Sequence, residues 1–268
     1  NENLKKAKTF CLIHSKEINH KLGSYSNKRM LKSINRADFI ISNSHFTKNL
    51  GINVGINKSK IHVIFPGIKK PSTILEKFKI EAQSFFKESF PKIITVARLD
   101  KRKGHDKILM LVKNLKNKFP NIKYISVGFG NEEENLIKLS KELAIENEVL
   151  FLKNIDENLK LALIQESNLF LMPSRIEKKS VEGFGISFME AASYGVGSIG
   201  GKDGGASDAI SHNKTGLICD GNDLNSIHES FINFFENKNF IKFGEAAKEF
   251  SKDFYWDKVV KNYLKLIN

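Results

Sequence analysis

A doubly wound α/β fold built on parallel sheets is the class this sequence predicts, and three observations predict it. From about residue 91, short β-branched runs alternate with segments whose apolar residues recur at helical spacing. The alternating segments have the lengths that parallel strands joined by right-handed crossovers require. Several strands also run directly into loops rich in glycine or basic residues, where such sheets hold their ligands.

Taken in order, residues 9–13, 39–42 and 61–65 read as strands, with helices near 28–35 and 47–50. Three strands make a thin sheet for an independent domain. Residues 74–88 are amphipathic and link this part to the next. Residues 92–97 form a β-branched strand, and 104–118 a helix with Ile108, Leu111, Val112 and Leu115 on one face. Strand 123–127, helix 132–144, strand 149–152, helix 158–166 and strand 169–172 follow. A helix over 186–194 and strands over 196–199 and 216–219 complete the alternation. A last amphipathic helix, around 257–266, rests its apolar face on another part of the fold. No repeat or low-complexity tract is visible.

The chain has 268 residues, 41% hydrophobic and 27% charged. At ~100–200 residues per domain this is enough for two. No apolar run approaches the ~18 residues that span a bilayer. The opening Asn1-Glu2-Asn3 leads into a Lys-rich segment rather than a leader peptide, and a first residue other than Met reads as a processed or partial copy of a longer protein. Cys11 and Cys219 show no metal-ligand spacing, so free buried thiols in a reducing cytoplasm are expected. Residues 1–90 hold 17 Lys/Arg against 6 Asp/Glu, whereas residues 91–268 hold 26 against 24. The basic first third fits an anionic partner, a membrane surface or a nucleic acid. It equally fits lysine drift in an AT-rich genome. Few aromatics are interleaved with the lysines and no RNA-binding motif is visible, which weighs against nucleic acid.

Three loops can carry chemistry. After strand 92–97 comes Arg98-Leu99-Asp100-Lys101-Arg102-Lys103-Gly104, cations beside a helix start, which suits either a diphosphate or bulk solvent. After strand 169–172 comes Pro173-Ser174-Arg175, then Glu182-Gly183-Phe184-Gly185 and a helix from Ile186 that carries Glu190. Paired glycines let the backbone approach a ligand, and the helix start offers unpaired N–H groups. The two carboxylates could do acid/base work or accept hydrogen bonds from sugar and ribose hydroxyls. After strand 196–199 comes Gly200-Gly201-Lys202-Asp203-Gly204-Gly205-Ala206-Ser207-Asp208, a glycine-rich loop with a helix start near Ser207 or Asp208.

These motifs together resemble the family 4 retaining glycosyltransferases. The resemblance is carried by Arg98-Leu-x-x-x-Lys103-Gly104, by the Glu182-x7-Glu190 pair around Gly-Phe-Gly, and by Gly204-Gly205-Ala206. Ala37-Asp38-Phe39-Ile40-Ile41-Ser42-Asn43-Ser44 with Thr47-Lys48 is similar to the last segment of that family's first domain. Ile61-His62-Val63-Ile64-Phe65-Pro66-Gly67-Ile68 is similar to its interdomain connection, with Phe65-Pro66 in place of the usual Pro-Asn. Residues 172–190 are especially similar to phosphatidylinositol mannosyltransferases and related glycolipid synthases.

The resemblance implies a GT-B fold of two Rossmann-like parallel-sheet domains. Residues 1–88 would be the end of the acceptor-side domain plus a linker. Residues 89–250 would be the donor domain, and 251–268 a helix returning to the first domain. The family's first domain begins with further strands and a Gly-rich loop that do not precede Asn1, so the N-terminal domain reads as incomplete. The resemblance assigns Arg98 and Lys103 to the donor diphosphate and Glu190 to the ribose. Glu182 with the backbone of Gly183, Phe184, Gly185 and Ile186 would hold the sugar, with Gly204 and Gly205 beside it. His14 and Glu17 fall where the family has a His-Gly-x-Glu loop that reaches the transferred sugar, with Ser15 replacing the glycine.

The implied activity is transfer of a hexose from a UDP- or GDP-sugar to an acceptor hydroxyl with retention, by front-face attack. The acceptor would be a membrane lipid or other cell-envelope glycoconjugate, on the cytoplasmic side of the inner membrane. No Asp-x-Asp motif is present, and neither a metal nor a cofactor is expected. A non-catalytic nucleotide-sugar-binding subunit is the alternative; an epimerase fits the paired glutamates less well.

Overall fold

Among the described residues, the alternation resolves into two wholly parallel sheets. The computed structural model describes residues 7–267; residues 1–6 and 268, with the expectation about how the chain opens, lie outside the described residues. The smaller sheet runs β1-β2-β3 through β1 (Phe10–Ile13), β2 (Phe39–Ser42) and β3 (Ile61–Val63). Helices α1 (Tyr25–Ile34) and α2 (His45–Asn53) make its crossovers, each opened by a serine, Ser24 or Ser44, whose side chain accepts a backbone N–H. A linker helix, α3 (Glu76–Phe86), leads to the larger sheet.

That sheet holds β4 (Lys92–Val96), β5 (Lys123–Val127), β6 (Val149–Leu152), β7 (Leu169–Met172), β8 (Ser198–Gly201) and β9 (Gly216–Cys219). Their spatial order is β6-β5-β4-β7-β8-β9. Its helices are α4 (His105–Leu115), α5 (Glu133–Glu142), α6 (Glu157–Glu166), α7 (Ile186–Ser193), the single turn α8 (Ala206–Ala209), α9 (Leu224–Phe235) and α10 (Asn239–Ser251). The apolar stripes of α4, α5 and α9 cover one face, through Ile108, Leu111, Leu136 and Phe231. The opposite face is covered by α3, α6, α7 and α10, through Phe86, Leu163, Phe188 and Ala247. Buried on both sides, β7 is apolar at every position.

The chain leaves β4 toward β5 and β6, then returns to place β7 on the other side of β4. This reversal makes the β4/β7 boundary the topological switch point, where the loops at the carboxyl ends part and leave a crevice.

Two details differ from the sequence reading. The strand expected over residues 196–199 runs instead over Ser198–Gly201, because Gly195 (φ +81°) ends α7, with Gly195 N donating to Ala192 O at 2.9 Å and Val196 N to Ala191 O at 3.1 Å. Gly200 and Gly201 are therefore strand rather than loop; a Cβ at Gly201 would stand 1.8 Å from Ser174 O. The sequence reading also passes over α9 and α10, whose phenylalanines pack onto the sheet and one another: Phe231 and Phe235 lie 4.8 Å apart. Cys219 is a free buried thiol, pushed by burial up to about 12; Cys11 is free and half-buried.

The last helix, α11 (Trp256–Ile267), crosses back to the smaller sheet. Val259, Tyr263 and Leu266 pack on Ile41, Ile64, Phe10 and Phe39. Between the sheets, Phe65, Phe184 and Phe254 form one aromatic cluster with ring centroids 5.6–5.9 Å apart.

Candidate active site

The crevice at the switch point is framed by the loop after β4 and the loop after β7. The first closes in a 3-10 turn, Lys101–Lys103, ending at Gly104. Gly104 has φ +79°, and a Cβ there would meet Pro173 O at 2.5 Å. Glycine is thus what lets the two loops touch. Arg175 ties them further: its backbone N–H donates to Arg102 O at 2.8 Å, and its guanidinium makes a two-pronged pair with Asp106, both bonds 2.9 Å.

His105, which opens α4, supports the same loop from beneath. It is 1% exposed, its Nε2 faces Arg98 O at 3.1 Å, and its Nδ1 lies 2.9 Å from Tyr124 Oη. Burial lowers its pKa to about 4, so the ring is neutral at neutral pH. Burial likewise pushes the Tyr124 phenol up.

A cavity of about 380 Å³ brings together His14, Arg98, Lys103, Glu182, Gly183, Phe184, Gly185 and Ile186. At its floor, Glu182 accepts a hydrogen bond from Arg102 Nη1 at 2.8 Å and one from Lys103 Nζ. These side chains are only 10–12% exposed. Burial alone would raise the Glu182 carboxyl, but Lys103 and Arg102 together hold it below its usual range. For Lys103, burial and then the charge of Arg102 outweigh the attraction of Glu182, and its pKa is lowered. Two buried cations thus share one carboxylate, which leaves the floor with unbalanced positive charge. Arg98 stands at the mouth, 62% exposed and 2.8 Å from Asp100.

The wall opposite comes from the smaller sheet. Asn43 follows β2, and the turn after β1 carries His14, Ser15 and Glu17. Glu17 accepts the His14 backbone N–H, and its carboxylate stands 3.9 Å from His14 Nδ1. Ser15 is buried with φ +114°, a conformation that favours glycine. Gly183 is needed because the walls meet there: a Cβ would stand 2.2 Å from His14 O and 2.7 Å from Asn43 Nδ2. Gly185 (φ +88°) then opens α7, so the N–H groups of that helix face this loop.

Four further expected site residues take separate positions around the crevice. The Phe184 ring is buried in the aromatic cluster, so only its backbone borders the cavity. Gly204 and Gly205 lie against the back of the β7 loop: Gly205 N donates to Glu182 O at 2.9 Å, and a Cβ at Gly204 would stand 2.3 Å from that same oxygen. This packing explains both glycines without any ligand. Glu190 lies in a second cavity of about 530 Å³, which meets the first at Ile186, and its carboxylate is 3.5 Å from Lys160 Nζ. A third cavity, of about 310 Å³, is walled by Val96, Ala97, Phe129 and Ile155 and shares Arg98 with the first.

Sequence reasoning assigned no role to Arg102, Asn43, Lys160 or His105. Arg102 lay within the basic loop, but nothing local distinguishes it from Lys101. Among the described residues, no group of three or more His, Cys, Asp or Glu could hold a metal ion, and no helix is long and apolar enough to cross a membrane.

Comparison with known proteins agrees with this architecture. Residues 76–253 match the family model described as glycosyl transferases group 1. An uncharacterized glycosyltransferase of Methanocaldococcus jannaschii is 30% identical over 261 residues, 93% of this chain and 63% of that protein. A GDP-mannose-dependent alpha-(1-6)-phosphatidylinositol monomannoside mannosyltransferase of Mycobacterium tuberculosis is 29% identical over 171 residues, 62% of this chain and 44% of that protein. The chain therefore spans less than two thirds of the length of either relative. Among solved structures, Anabaena HepE in complex with UDP and glucose superposes with a TM-score of 0.81 at 18% identity, over 96% of this chain and 71% of that one. The fold is that of the GT-B glycosyltransferases, two parallel α/β sheets facing across a cleft.

Proposed function

The chain belongs to the group 1 glycosyl transferases, and we propose that it binds a nucleotide diphosphate sugar in the switch-point crevice and transfers the hexose with retention. The observation that carries this reading is the charge-unbalanced floor, where Arg102 and Lys103 share Glu182. A diphosphate entering beside it supplies the missing negative charge, and Arg98 closes on it from the mouth. The three connected cavities supply the remaining layout. The base enters the apolar cavity at Val96, Phe129 and Ile155, and the ribose lies toward Glu190. The sugar sits between the Gly183–Gly185 backbone, Glu182 and His14.

In the transition state, charge builds on the leaving diphosphate. Arg98, Arg102, Lys103 and the first N–H groups of α7 meet that charge with dipoles and cations already in place. The acceptor hydroxyl approaches from the same face of the sugar, and the leaving phosphate oxygen takes its proton. Neither a metal nor a cofactor has a part in this reading. Relatives named for GDP-mannose and a neighbour crystallised with UDP support a UDP- or GDP-sugar as donor. The basic first third supports an acceptor at the cytoplasmic face of an anionic membrane.

Thermal shift against UDP-, GDP- and ADP-sugars tests the donor site: a rise with the UDP or GDP series is expected, and no rise with any sugar nucleotide refutes it. Proton NMR of the product's anomeric centre tests retention; an inverted product refutes it.

A further inference from the structure

Beside the donor crevice lies another cavity, of about 620 Å³, whose walls are mostly basic. Lys16, Arg98, Lys101, Arg102, Lys178 and Lys179 line it, against the carboxylates of Asp100 and Glu177. Asp100 is already paired with Arg98, and Arg102 with Glu182. Among the described residues, Lys16, Lys101, Lys178 and Lys179 have no carboxylate within ion-pair distance, and all four are exposed. Like charges gathered around one hollow repel, so the arrangement lowers its energy when an anion enters.

The lysines are held in place rather than scattered. Residues Glu177 and Ser180 close a tight turn by exchanging backbone hydrogen bonds of 3.0 and 2.9 Å. Lys178 sits at its tip with φ +56°, a left-handed conformation that disfavours any residue with a Cβ. The turn is pinned across the cleft by Asn19 Nδ2, which donates to Lys179 O at 3.0 Å. At its base Arg175 is locked to Asp106. One wall, Lys16, comes from the turn after β1 and the others from the larger sheet, so the hollow exists only where the two parts meet. It shares Lys16, Arg98, Arg102 and Ser180 with the donor cavity and opens from it outward.

We propose that this hollow binds a phosphate group carried by the acceptor, and that it thereby orients the acceptor hydroxyl toward the donor sugar. The inference rests on the transferase reading for the hydroxyl, but the anion site stands on its own geometry. Phosphate is the chemistry named because the oxygens of a tetrahedral phosphate anion, monoester or diester, can be met by several lysine ammonium groups at once.

The test is binding of glycerol 1-phosphate, and sedimentation with phosphatidylglycerol or phosphatidylcholine vesicles, by the wild-type chain and by Lys101→Ala/Lys178→Ala/Lys179→Ala, three lysines that line the hollow but not the donor cavity. A control of equal charge, Lys113→Ala/Lys118→Ala/Lys141→Ala, removes three exposed lysines far from the hollow. The site variant should bind the phosphate probe about tenfold more weakly, while the control matches wild type. Loss of soluble-phosphate binding alone identifies a soluble phosphorylated acceptor. Loss with phosphatidylglycerol vesicles as well identifies a lipid-borne one. Equal weakening in both variants, or no binding of either probe by wild type, overturns the proposal. UDP- and GDP-sugar binding is measured in parallel and should be unchanged by the site variant. A chain that binds glycerol 1-phosphate at the hollow but no sugar nucleotide would refute the donor reading and leave the anion site intact.

Discussion

Replacing Glu182 by glutamine keeps the shape of the cavity floor and removes its one negative charge. Arg102 Nη1 lies 2.8 Å from the carboxylate, and Lys103 Nζ contacts the same oxygen. At an effective dielectric constant of about 20, a pair at that separation attracts by about 6 kcal/mol before desolvation is counted. Breaking a buried pair by removing one partner usually costs about 3–5 kcal/mol, because a charge is left uncompensated. For a domain of this size that corresponds to a melting temperature lower by about 6–20 °C.

Two signatures separate this mechanism from ordinary loss of packing. Lys103 already has a lowered pKa from burial, and without Glu182 it falls further. In the window between that lowered value and the usual lysine value, the unfolded chain binds more protons than the folded one, so stability rises with pH. The variant should therefore recover stability between pH 7 and pH 9.5 more than wild type does. UDP should also stabilise Glu182→Gln more than wild type, since the diphosphate replaces the missing charge. Urea unfolding at the two pH values, with and without UDP, measures both effects. A variant within about 0.5 kcal/mol of wild type, equally stabilised by UDP, would refute the charge-balance argument.

Three further outcomes follow from the same geometry. Burial holds His105 neutral with a pKa of about 4, so the unfolded chain gains a proton that the folded one refuses as pH falls from about 6.5 to 4. Stability should fall by up to about 3 kcal/mol across that window, read from urea midpoints, and His105→Gln should flatten the dependence. Ser15→Gly relieves a residue held at φ +114° and should raise stability by about 1 kcal/mol, measured by thermal unfolding. Lys103→Ala should reduce turnover with a defined donor by about 10²–10³-fold, seen in steady-state kinetics; unchanged kinetics would remove Lys103 from the diphosphate site.

Much of the larger sheet was legible because its signals are local. A run such as Ile93, Ile94, Thr95 and Val96 favours a strand by its own side chains, and the loops following β4 and β7 announce themselves by charge and glycine. What was not legible depends on partners distant in sequence. Arg102 and Glu182 are 80 positions apart, so nothing in the basic loop marks which cation meets the carboxylate. Phe184 stands between two glycines and reads as part of a ligand loop, yet Phe65 and Phe254 claim its ring. Gly200 and Gly201 read as loop by composition, whereas close approach to Ser174 and Ile210 places them in a strand. The paired glutamates flank one turn in the sequence, and that turn at Gly185 with the start of α7 directs them into adjoining cavities, in keeping with the separate roles the resemblance implies for them.

The two sheets meet through two kinds of contact, and the difference bears on how a donor could enter. At the pivot, Phe65, Phe184 and Phe254 are packed together, and α11 is buried against the smaller sheet through Val259. Parting these exposes apolar surface at roughly 25 cal/mol per Å². At the rim the contacts are polar: Asn19 with Lys179 at 3.0 Å, and Ser15 with Val181 at 3.5 Å. Water can replace each of these, so each adds only about 0.5–1.5 kcal/mol to closure. The rim therefore opens far more easily than the pivot. Gly183 lies on the opening side, where its contact with His14 O separates as the rim parts. Donor binding that bridges Lys103 on one wall and His14 on the other would draw the walls back together, so closure and assembly of the site are the same event.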